Sequence, residues 1–82
     1  MTPKQKEKLI QEIRTALKSF GFQEDHYGNF KKETEGKVLR YKFGKTALRR
    51  EVKGSSGQWI RVASNYYKNI SIIDGKISGL KY

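Results

Sequence analysis

The chain has 82 residues, with 18 Lys and Arg against 8 Asp and Glu for a formal net charge of +10, one His and no Cys. A chain this short is expected to form one domain over residues 1–82, with little room for a deep substrate cavity. Without cysteine there is no disulfide scaffold, thiolate zinc site or cysteine nucleophile, and one histidine cannot build a multi-histidine cage, so no metal and no cofactor are predicted.

Thr2-Pro3-Lys4-Gln5 fits a helix-capping box, with Pro3 at the first helical position where its missing N–H is harmless. Leu9, Ile10, Ile13, Ala16, Leu17 and Phe20 then recur at helical spacing, which predicts an amphipathic helix over residues 3–20 ended by Gly21 as a left-handed cap. Its charged side mixes Lys4, Lys8, Arg14 and Lys18 with Glu7 and Glu12, as a solvated helix face does. Because the chain enters this polar segment at once, neither a secretory leader nor a membrane span is predicted, and a cytoplasmic location is expected.

After Gly21 the period becomes two. A first strand is expected over residues 27–32, interrupted by Gly28 and Asn29, then a turn at Glu33-Thr34-Glu35-Gly36 and a strand over 37–43. In the latter, Leu39, Tyr41 and Phe43 share one face, and Val38, Arg40 and Lys42 the other. Gly44-Lys45 predicts a tight turn into a strand over 46–53, where Leu48 and Val52 face inward with Arg50 between them. Arg50 breaks the pattern, so either a bulge re-aims it or it sits at the sheet margin with its stem packed. Gly54-Ser55-Ser56-Gly57 is a flexible loop leading to a strand over 58–64, with Ile60 and Val62 inward and Trp59 and Arg61 outward. Residues 65–69 form a polar and aromatic connection. Residues 70–73 and 76–81 then flank Asp74-Gly75, the signature of a type I′ hairpin that sets Ile72 opposite Ile77. The fold class implied is α+β, one N-terminal amphipathic helix packed on one face of a four- to five-stranded antiparallel β-meander.

The charge excess is unevenly placed. Residues 1–28 carry five cations and four anions, whereas residues 37–53 carry Lys37, Arg40, Lys42, Lys45, Arg49, Arg50 and Lys53 against Glu51 alone. Such a concentration self-repels unless an anion is near, which is the footprint of a polyanion binder; the plain alternative is a solvated basic surface.

One helix covers one sheet face, so the other stays wet and carries Val38, Arg40, Lys42, Arg49, Glu51, Lys53, Trp59 and Arg61. Cations around a tryptophan suit single-stranded RNA or DNA better than duplex, since phosphates need charge and unstacked bases need a flat aromatic platform. The candidate nucleic-acid-binding residues are therefore Arg40, Lys42, Arg49, Arg50, Lys53, Trp59 and Arg61, extended by Tyr66, Tyr67 and Lys68. A buried Trp59 would mean a register slipped by one residue, with Ile60 and Val62 outward.

Two other classes of function are weighed. Glu51-Val52-Lys53 has the acidic-x-lysine spacing of metal-dependent nucleases, with Glu12 or Asp25 as a second carboxylate. The tripeptide is common in a Lys-rich chain, however, and the further helix and strand of such a core are missing. Glu51 reads better as a cross-strand partner of the surrounding cations, His26 has no convergent partner, and no catalytic residue is predicted. The second class is a small accessory or inhibitor module of a mobile element, docking onto a protein or nucleoprotein complex. Only one face of the C-terminal hairpin reaches the core, so Ile73 and Leu80 either cap that core or face outward as a protein contact or homodimer edge; Tyr82 ends the same segment.

Overall fold

In the computed structural model, which describes residues 1–80, Thr2 caps helix α1 (Pro3–Ser19) through both halves of the predicted box. The Gln5 N–H donates to the Thr2 hydroxyl at 3.1 Å, and the Thr2 N–H donates to the Gln5 side-chain oxygen at 2.9 Å. The helix ends in a Schellman turn: the Phe22 N–H reaches the Leu17 carbonyl at 3.0 Å and the Gly21 N–H that of Lys18 at 3.1 Å, with Gly21 at φ +88°.

Five strands follow in a meander: β1 (Gln23–Glu24), β2 (Phe30–Thr34), β3 (Lys37–Phe43), β4 (Ala47–Lys53) and β5 (Trp59–Tyr66), each antiparallel to the last and adjacent in chain order. A single 3₁₀ turn (Tyr67–Asn69) leads to a separate two-stranded sheet, β6 (Ser71–Ile73) and β7 (Lys76–Ser78). The C-terminal hairpin therefore does not extend the meander. It closes through Asp74 and Gly75, both at positive φ as a type I′ turn requires, and pairs Ile72 with Ile77. β7 is shorter than the expected strand over 76–81, ending at Ser78 with residues 79 and 80 outside it, and residues 81 and 82 lie outside the described residues.

Two local expectations give way: Asn65 and Tyr66, expected in the connection over 65–69, belong to β5, and the first expected strand starts late. Tyr27, Gly28 and Asn29 lie in a turn, not a strand, because the Asp25 carboxylate accepts from the N–H groups of Tyr27 at 2.9 Å and Asn29 at 3.0 Å, while the Asp25 N–H pairs with the Asn29 carbonyl at 2.8 Å. An Asp side chain that mimics a backbone turn in this way ends the extended run. β2 consequently starts at Phe30, and the short β1 before the turn completes the fifth strand.

The core lies between the helix and the sheet. Leu9, Ile13 and Leu17 of α1 pack with Phe30, Tyr41, Leu48, Tyr67 and Ile70, and Ile72, Ile77 and Leu80 of the C-terminal segment close over it from the side. Leu80 is thus turned inward against this cluster, whereas Ile73 is exposed. The hairpin is held to the sheet by the Asn65 side-chain amide, which donates to the Gly79 carbonyl at 2.7 Å. At Gly79 a Cβ would sit 2.2 Å from the Asn69 carbonyl oxygen, so only glycine permits this approach. No helix among the described residues is long and apolar enough to cross a membrane.

Tyr67 is the central aromatic of this packing, only 2 % exposed, with its phenol donating to the Gly44 carbonyl at 2.8 Å. Burial pushes that phenol up to about 12, against a smaller opposing pull from the Arg14 guanidinium. The neutral phenol is therefore favoured in the folded state: its contribution is fully present below the unfolded value near 10 and is lost as pH rises through about 12. Denaturant melts of the unaltered protein and of Tyr67→Phe across pH 8 to 12 are expected to show a stability decline above pH 10 that is shallower in the variant. At neutral pH the variant should be less stable by about 1 kcal/mol for the lost hydrogen bond.

Candidate nucleic-acid interface

Register decides which side chains share a face. In β3 and β4, Tyr41 opposes Arg50, Leu39 opposes Val52 and Phe43 opposes Leu48 on the helix side, while Arg40 opposes Glu51 and Lys42 opposes Arg49 on the open side. β5 places Arg61 opposite Glu51 and Trp59 opposite Lys53, again on the open side, and β2 brings Lys31 opposite Arg40. One row of the open face therefore reads Lys31, Arg40, Glu51, Arg61 across four strands.

The centre of that row is closed. Glu51 is only 7 % exposed, and its carboxylate accepts from Arg40 Nε at 2.8 Å and from the second Arg40 nitrogen Nη2. Over this pair lies Trp59: the Arg40 guanidinium carbon is 4.0 Å from its ring centroid and the Lys31 ammonium 5.8 Å. Because Trp59 starts on β5 and Arg40 on β3, the indole lies along the sheet across β4, a reach of about 10 Å. It is half-buried on the open side, so the register is the expected one and not its one-residue slip. Ile60 keeps to the helix side opposite Val52, yet remains 46 % exposed because helix and hairpin do not reach this corner.

Lys42, Arg49, Lys53 and Arg61 are exposed around this roofed centre. Between Arg50 and Glu51 the register with β5 shifts, leaving Val62 as an extra residue between Arg61 and Ala63. Strict alternation would have sent Ala63 and Asn65 outward; the bulge turns them to the helix side and brings Ser64 and Tyr66 onto the open face, opposite Arg49 and Ala47. The result is a cavity of about 330 Å³ lined by Arg49, Arg61, Ser64 and Tyr66 over Thr46, Ala47 and Asn65.

The candidate residues thus separate. Lys42, Arg49, Lys53, Arg61, Trp59 and Tyr66 share the open face, whereas Lys68, in the 3₁₀ turn, stands apart from them around the edge with Lys6 and Lys45, its ammonium 5.8 Å from the Tyr66 ring centroid. Arg40 shares the face but is committed to Glu51. Arg50 does not join them: it lies half-buried on the helix side opposite Tyr41 and Ala63, so of its two expected placements the re-aiming bulge does not hold, the extra residue lying on β5 instead. Tyr67 is likewise no platform, being a core residue. Glu51, weighed as a metal ligand, offers its carboxylate to Arg40 inside the sheet layer.

Lys31 and Ser64 were not foreseen. Lys31 is held by Asp25 at 3.4 Å, and the Asp25 turn that starts β2 at Phe30 is the signal that places it outward. For Asp25, burial raises the carboxyl, but the Asn29 and Tyr27 N–H groups and Lys31 outweigh it and hold it below its ordinary value. No family model matches the sequence, and no curated protein or solved structure shows a significant match.

Removing the Glu51 carboxylate has two consequences of opposite sign. Glu51→Ala leaves a largely buried guanidinium without its partner and should lower stability by about 3 kcal/mol in urea melts. The same change adds one uncompensated cation to the open face, so its affinity for a polyanion should rise, as measured by fluorescence anisotropy with a labelled oligonucleotide.

Proposed function

We propose that this protein binds single-stranded nucleic acid, RNA or DNA, along the open face of its five-stranded sheet. The observation that carries the reading is the exposure of Lys42, Arg49, Lys53 and Arg61 on one uncovered face around Trp59 and Tyr66. The cations suit phosphates, and the two aromatic rings suit unstacked bases, which a duplex keeps inside its own stack. Trp59 and Tyr66 stand at opposite ends of β5, roughly 20 Å apart at strand rise, a span for several nucleotides. The Arg40 guanidinium on the indole adds an attractive charge beneath a ring whose remaining surface meets solvent.

Docking to a protein is the second reading, favoured by Ile73, 57 % exposed beside the β6–β7 turn. A single exposed isoleucine is ordinary on a soluble surface, which ranks this reading below the first. A partner kept after nuclease treatment of a lysate and lost on Ile73→Ser would reverse that ranking.

With about four phosphates engaged, the logarithm of single-strand affinity should fall against the logarithm of salt with a slope near −3. Arg49→Ala should make that slope shallower by about 0.7, whereas Trp59→Ala should leave it unchanged and weaken binding by about 1 to 3 kcal/mol. Affinity independent of salt, or a preference for duplex over single strand, would refute the proposal.

A further inference from the structure

The turn from β3 to β4 is tied down from three directions. The Gly44 N–H donates to the Ala47 carbonyl at 2.9 Å, the Tyr67 phenol and N–H donate to the carbonyls of Gly44 and Thr46, and the Lys6 ammonium of the helix donates to the Lys45 carbonyl. This corner separates two cavities of similar size. On the open face is the one of about 330 Å³ containing Arg49, Arg61 and Ser64; around the edge is one of about 340 Å³ containing Lys6, Lys45 and Lys68. Thr46 and Tyr66 line both, so the two are neighbours that share a wall at the corner.

Both linings are basic. Arg14, Lys31 and Arg40 each have a carboxylate within ion-pair distance. Among the described residues no carboxylate lines either corner cavity, and none of the ion pairs includes Lys6, Lys45, Lys68, Arg49 or Arg61. Lys6 is brought here from the helix, 39 positions away from Lys45 in sequence, with its ammonium also 5.6 Å from the Tyr67 ring centroid. An ammonium has three donors, and a single carbonyl leaves it able to meet a phosphate. Like charges gathered in this way repel one another, and an anion between them relieves that repulsion. Tyr66, 57 % exposed, stands at the junction as a stacking surface reachable from both sides.

We infer that a single strand crossing the open face turns at Tyr66, passes Thr46 and continues into the pocket of Lys6, Lys45 and Lys68, so that the helix takes part in binding. This rests on the single-strand reading above and extends the path from a flat face to a bent track. Short strands occupy the sheet arm alone, and longer ones fill both arms.

The test compares single-stranded oligonucleotides of about 4 and about 12 nucleotides, a short and a long length within the common range of site sizes, by anisotropy at two salt concentrations. The variant is Lys45→Glu with Lys68→Glu, both exposed and neither in the core, with Lys6→Gln as a milder second variant. The double variant should weaken binding of the longer strand at least tenfold, bind the shorter within about twofold of the unaltered protein, and reduce the salt slope of the longer by about 1.4. Lys6→Gln should act in the same direction, about threefold. Unaltered affinity for the longer strand, equal weakening at both lengths, or the same loss with blunt duplex overturns the bent track and leaves the sheet reading standing. Failure of the unaltered protein to bind either single strand overturns both.

Discussion

A carboxylate withdrawn into the middle of a basic sheet face is the constraint on which the rest of the surface depends. Glu51 gives up solvent, and that desolvation is offset by Arg40, which meets it from the neighbouring strand and itself packs against the Trp59 ring. The three side chains come from β4, β3 and β5, so together they favour one register of the central strands. They also divide the charge. The centre of the face becomes neutral and aromatic, and the uncompensated cations stand around it, Lys42 and Arg49 toward one end, Lys53 toward the other, and Arg61 on the edge strand. A polyanion meeting this face finds a flat ring flanked by positive arms.

The bulge at Val62 shapes the second half of that surface. One unpaired residue exchanges the faces of everything after it, burying Ala63 and setting Ser64 and Tyr66 beside Arg49 and Arg61. Without it β5 would present an alanine and an asparagine there. The bulge also sets the direction in which the chain leaves the sheet, so that Tyr67 drops into the core, ties down the Gly44 corner and leaves Tyr66 outside. Two adjacent tyrosines therefore have opposite fates, one a structural anchor and one a surface platform.

Features governed by neighbouring residues could be read from the sequence. The capping box of Thr2 and Gln5, the Gly21 cap, the Asp74-Gly75 turn and the alternation of β3 and β4 each rest on local chemistry. They suffice for the α+β class and for the outward placement of Lys42, Arg49, Lys53, Trp59 and Arg61. What escaped depends on contacts distant in sequence or on side chains standing in for backbone. The Asp25 carboxylate replaces a strand by a turn and thereby hides Lys31. The Val62 bulge hides Ser64. Arg50 obeys the period of two that sets it between Leu48 and Val52 and stays on the helix side, so its inclusion among the open-face candidates does not hold. Lys6 reaches the corner only because the helix packs across the sheet toward the β3–β4 turn.

The proposed stacking of an unpaired base on Trp59 is directly measurable, because Trp59 is the chain's single tryptophan. Titration of the protein with an unlabelled single-stranded oligonucleotide, monitored by intrinsic tryptophan fluorescence at low and high salt, follows this one side chain. Stacking on Trp59 should give saturable quenching whose midpoint moves to higher oligonucleotide concentration as salt rises. Binding detected by another probe with no change in tryptophan emission would contradict it.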